Sequence, residues 1–200
     1  MKIKIYDNFD IWPGGDHTCE FKPGTTVLVG RNGAGKSSTL LSIREHCRSN
    51  DIKYKSFDNL IDGGTNFGDS ILHLGSGNLT DLATFSCSSE GQRIIQAFGK
   101  FVQSVGQSIH ELSLDSNHNE FVIMLDAVDS GMSIDNIRDV KNLFNLIKED
   151  CDKSNIDVYI IIAANSYEFA KDLDCIDVVT GEHIWFEDYD NYANFICKGD

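Results

Sequence analysis

The stretch Thr25–Ser38, TTVLVGRNGAGKSS, constrains this chain more than any other. A β-branched run over 25–30 ends in a glycine, and a helical pattern begins at Lys36 and continues to about Arg48. Between them, Gly30 to Ser37 matches G-x-x-x-x-G-K-[ST], in the strand–loop–helix context that gives this motif its meaning. Gly33 and Gly35, with Asn32 and Ala34 between and beside them, let the backbone curl so that successive N–H groups face inward around a phosphate. The helix opening at Lys36, Ser37 and Ser38 turns its positive end toward the same anion. Lys36 can reach the outer phosphates and the Ser37 hydroxyl can hold Mg²⁺. The expectation is a nucleoside triphosphate site.

A fold built around such a loop needs a buried sheet, and 200 residues with 41% hydrophobic content suit one domain, 1–200, with a sizeable core. No apolar run is long enough to span a membrane, and the N-terminal residues lack a signal peptide's apolar core. The six cysteines show no C-x-x-C pair and read as reduced thiols, which points to a cytoplasmic protein. The net charge of −14 is lopsided: residues 1–100 balance 11 basic with 11 acidic side chains, whereas 101–200 carry 6 and 20. Such an acidic half repels phosphate backbones, so charge does not support a nucleic-acid partner.

Along the chain, 2–6 and 17–21 read as short strands joined by WPGGD. The Gly-, Asn- and Ser-rich region 56–86 reads as irregular, with one short helix near 69–74. An amphipathic helix is expected over 89–112, where Ile94, Phe98, Phe101, Val102 and Val105 recur at helical spacing. EFVIMLDA (120–127) is a continuous apolar strand of the kind buried on both faces. Helix 133–153, capped by Ser133, leads to strand 157–165; a hairpin at 177–186 and a short helix near 188–196 close the chain. This alternation predicts an α/β fold of three layers, with a mostly parallel core sheet and a small N-terminal antiparallel portion.

GRNGAGKSS resembles the G-x-N-G-x-G-K-S loop of the ABC-type ATPases, including their SMC- and RecF-like branch. The resemblance extends over about 25–166 and implies the phosphate-loop NTPase fold, ATP and Mg²⁺ as ligands, and an ATP-sandwiched homodimer. Ser88-Ser89-Glu90-Gly91-Gln92 is similar to the family's L-S-G-G-Q signature, which touches the γ-phosphate held by the other subunit; Ser89, Gly91 and Gln92 fall in matching places. Ser89-x-x-Gln92 is equally a capping box. Asp126 resembles the aspartate that holds Mg²⁺ through water, and Asp129 with Ser130 the loop that crosses the dimer interface. Asn165 stands where the family has a histidine against the γ-phosphate; its side chain can hydrogen-bond there but carries no proton. Phe9, Trp12 or Arg31 could stack on adenine, or simply pack.

Three departures qualify the resemblance. No glutamine lies between Lys36 and Gln92, and Asp58, Asn59 or Asp62 are the candidates to take over its Mg²⁺ and water contacts. The 52 residues between Lys36 and Ser89 leave no room for a coiled coil. Ala127 occupies the position of the glutamate that polarises the attacking water. It is a substituted glutamate that traps the ATP state, a mark of a naturally slow member, or a sign that Asp129 does the work; the intact remainder favours the first. The expectation is an ATP-binding ABC-type ATPase head with impaired hydrolysis. Its rivals are a non-hydrolysing nucleotide sensor that recruits a further protein partner, and a phosphate-loop kinase, which the lack of arginine over 101–137 disfavours.

Overall fold

A computed structural model describes residues 1–8, 10–62, 90–115 and 118–197. Two strands, β1 (Lys2–Ile5) and β2 (His17–Glu20), form a separate antiparallel pair with Ile3 opposite Cys19. The main sheet draws on β3 (Gly24–Val29), β4 (Lys53–Asp58), β5 (Glu120–Asp126), β6 (Asp157–Ala163), β7 (Asp174–Asp177) and β8 (His183–Ile184). Their order is β4-β5-β6-β3-β7-β8, parallel throughout except for β8. Five helices are described: α1 (Lys36–Ser49), α2 (Glu90–Ser113), α3 (Ile134–Lys153), α4 (Tyr167–Ala170) and α5 (Tyr189–Cys197).

Alternation along the central strands splits the core in two. Val27, Val29, Ile123, Leu125, Ile160 and Ile162 face one side, where they pack with Phe98 and Val105 of α2, Val140 and Phe144 of α3, and Tyr192 of α5. Leu28, Val122, Met124, Ile161 and Ile176 face the other, against Leu40 and Ile43 of α1, Ile3 and Ile5 of β1, and Trp12. The sheet is therefore covered on both faces, which is why its central strands are apolar without interruption. Ser133 caps α3 as expected, its hydroxyl accepting from Asn136 N–H.

The expected irregular stretch 56–86 begins with a strand instead. KYKSFD pairs in parallel with β5, Lys53 beside Phe121 and Asp58 beside Asp126. Its polar residues hid it, yet they suit an edge strand, where charge discourages pairing with other chains. The short helix expected near 69–74 lies outside the described residues. α4 starts from Ser166, whose hydroxyl accepts from Glu168 N–H.

β3 is the hinge of this topology. It connects through α1 to β4 on one side, while the chain from β6 crosses past it to β7 on the other. Crevices that take ligands in parallel sheets lie at the carboxyl ends of strands where connections diverge in this way.

Candidate functional site

The loop 30–35 joins β3 to α1 at that crevice. Gly35 has φ +99 and serves as the N-cap of α1 without any side-chain cap. α1 has no acidic residue in its first turn, so the positive helix end is left uncompensated. A Cβ at Gly35 would lie 2.6 Å from the Trp12 ring, so glycine is required by contact as well as by conformation. Lys36 Nζ reaches back across the loop and donates to the carbonyls of Gly30 at 2.6 Å and Arg31 at 3.1 Å. Burial lowers the pKa of that ammonium, while the carboxylates of Asp129 and then Asp126 hold it up.

Trp12 is 4% exposed and its indole N–H donates to Ala34 O at 2.8 Å. It thus braces the loop from beneath and offers no face to an adenine, so of the two alternatives for Trp12 it packs. Arg31 is exposed at the loop's rim, and Phe9 lies outside the described residues.

Asp126 closes β5 and lines a shared cavity with the Ser37 hydroxyl. Burial raises the pKa of its carboxyl, the Ser37 hydroxyl beside it lowers it, and the neighbouring Asp58 raises it again. Ser37, Asp58 and Asp126 line a cavity of about 180 Å³ together with Ser56 and Arg44. Among the described residues, no group of three or more His, Cys, Asp or Glu could hold a metal ion alone. A hydroxyl and a carboxylate are nonetheless the hard donors that suit Mg²⁺ when phosphate oxygens complete its shell.

Ala127 adopts φ +50, a left-handed conformation uncommon for a residue with a Cβ. Its N–H donates to Ala163 O at 3.0 Å, and its carbonyl accepts from Ser130 N–H and Asn59 Nδ2. Asn59, 2% exposed, also donates to Ser130 O at 2.8 Å, so one amide from β4's end clamps the whole turn 127–130. Sequence reading offered Asn59 only as one of three Q-loop substitutes; its place in this clamp was missed.

That turn sets the half-buried Asp129 against the backbone beyond β6. Its Oδ2 accepts from Asn165 N–H at 2.8 Å and Ser166 N–H at 2.7 Å, beyond the end of β6. Ser130 stays exposed on the same turn, while Asp129 is half-buried. Asn165 is exposed and its carbonyl accepts from the Tyr192 hydroxyl at 2.7 Å. Burial pushes that hydroxyl's pKa well above its usual value.

The structure therefore gathers residues 30–37, Asp126, Asp129 and Asn165 at the carboxyl ends of β3, β5 and β6. Ser88 and Ser89 lie outside the described residues; Gly91 and Gln92 fall in the first turn of α2. Cys19, Cys47, Cys151 and Cys175 are buried free thiols, and Cys197 is an exposed one. No helix among the described residues is long and apolar enough to cross a membrane. No family model and no curated protein matches the chain.

Proposed function

We propose that this chain is an ATP-binding head of the ABC type, with a three-layer phosphate-loop NTPase fold, which pairs with a second copy around two ATP molecules. The observation that carries the reading is the loop itself. A left-handed glycine, an uncapped helix start and a lysine folded across carbonyls leave a ring of donors suited to a triphosphate. Lys36 would exchange its two carbonyl partners for the outer phosphate oxygens, a charge-assisted bond in place of neutral ones.

Ser37 and Asp126 would hold Mg²⁺, with Asp58 in the Q-loop's place beside them. Bound there, the cation would neutralise charge on the phosphate oxygens. Asn165 would donate its amide to the γ-phosphate, held in place by Asp129 on one side of its peptide and Tyr192 on the other. Ser89 and Gly91 would meet the partner's γ-phosphate. Ala127 brings no acid to the water, so turnover through that position is absent and the ATP state is long-lived. That same alanine favours the second reading, a nucleotide sensor whose dimer recruits another protein.

The test is calorimetric titration with ATP and Mg²⁺. Lys36→Ala is expected to lower affinity by at least roughly a hundredfold while the fold persists, since it removes the charge paired with the outer phosphates. Unchanged affinity in the folded variant defeats the phosphate-loop reading.

A further inference from the structure

We propose that Asp129 supplies the carboxylate that orients and deprotonates the attacking water, in place of the acid missing at Ala127. The inference rests on the ATPase reading above and adds its catalytic residue. Asp58, Asp62, Asp126, Asp129, Asp177 and Glu182 lie at the carboxyl ends of the described parallel strands or in the loops just beyond them. Asp62 stays at the edge strand, its Oδ2 accepting from Asp58 N–H, and Glu182 sits in the β7–β8 hairpin, where its carbonyl accepts from Asp177 N–H. Asp177 is turned into its own hairpin, accepting from Val179 N–H and the Thr180 hydroxyl. Asp58 belongs to the edge strand β4, on the far side of β5, and accepts from Leu60 N–H. Asp126 lines the cavity with Ser37, where a cation would sit. Asp129 alone is carried past β5 to the end of β6, the strand next to β3 and its phosphate loop.

Its attachment suits the task. Both backbone donors, Asn165 N–H and Ser166 N–H, fall on Oδ2, and Oδ1 makes no hydrogen bond among the described residues. One oxygen is thus anchored and the other is available to a water, the preorganised geometry that general-base help requires. The left-handed turn at Ala127, held by Asn59, is what swings Asp129 into this place. Asp129 and Asp126 both hold up the pKa of the Lys36 ammonium, which lies between the loop and these carboxylates.

In the reaction, the water oxygen bonds to the γ-phosphorus as the bond from that phosphorus to the bridging oxygen of the β-phosphate breaks. Asp129 Oδ1 takes a proton from the water and later releases it to solvent. ADP and inorganic phosphate are the products.

The test compares the parent with Asp129→Asn, which keeps a carbonyl to accept both backbone N–H groups but removes the charge. Steady-state phosphate release and ATP titration are measured together, each with Mg²⁺. The parent is expected to turn over slowly, and Asp129→Asn to lose at least about tenfold in turnover with ATP affinity within about threefold of the parent. Ala127→Glu in the Asp129→Asn background restores turnover, because it returns an acid to the same water. Asp129→Ser, which keeps one acceptor and no charge, repeats the loss. Equal turnover in parent and Asp129→Asn overturns the proposal, as does a parent that binds ATP without hydrolysing it. If both Asp129 variants lose ATP binding, Asp129 is a clamp for Asn165 and the proposal also falls. A parent that binds no ATP at all defeats the ATPase reading instead.

Discussion

Asp126 and Lys36 are both partly desolvated, and each is shifted toward its neutral form by burial. For Asp126 this has a stability consequence with a definite sign. The folded chain binds its carboxyl proton more tightly than the unfolded chain does. Its contribution is therefore fully present at acid pH and is lost as pH rises through the raised folded value. Asp126→Asn removes this penalty. At neutral pH and without ligand, the variant is expected to melt higher than the parent, with the difference vanishing toward acid pH. The same variant should lose the Mg²⁺-dependent part of ATP affinity. Equal melting temperatures at neutral pH contradict the buried-charge account. At this scale the phosphate loop was legible because glycine spacing dictates local backbone shape. The anchoring of Asp129 on Asn165 and Ser166 was not, since the turn that places it depends on Asn59, 68 and 71 residues away from its partners Ala127 and Ser130.

Among the elements, the strap between β1 and β2 has the least obvious role in its sequence. Asp7 accepts from the N–H groups of Ile11 and Trp12, and Asp16 accepts from Asp7 N–H while pairing with Lys4. These bonds fold WPGGD back so that the indole lies under residues 34 and 35. Trp12→Phe keeps a ring there but leaves Ala34 O without its donor. A loss of about 1 kcal/mol in denaturant unfolding is expected, together with weaker ATP binding from a less ordered loop. A stability loss with unchanged ATP affinity restricts Trp12 to packing. Periodicity exposed α2, α3 and the central strands, because their apolar faces are long and regular. It hid β4, whose lysines and serine suit an edge and break the pattern. It could not assign Trp12 either, as the indole's partner lies 22 residues away across the sheet's end.

For the whole molecule, the proposal joins two chains through ligand, so assembly follows nucleotide by mass action. Each site is then completed by Ser89 and Gly91 of the other copy. Ser89→Arg is expected to leave ATP binding to its own chain intact while blocking dimerisation, because a long cation fills the space for the partner's γ-phosphate. A mere capping serine predicts instead a stability loss of about 1 kcal/mol with dimerisation unaffected. In such a dimer the acidic second half would add like-charge repulsion between copies, and the ligand bridge would have to outweigh it at low salt. Light scattering of the 22.3 kDa chain, with and without ATP and Mg²⁺, reads that assembly directly. The account predicts a monomer alone and a doubled mass with nucleotide; a chain that binds ATP by titration yet keeps its monomer mass contradicts it.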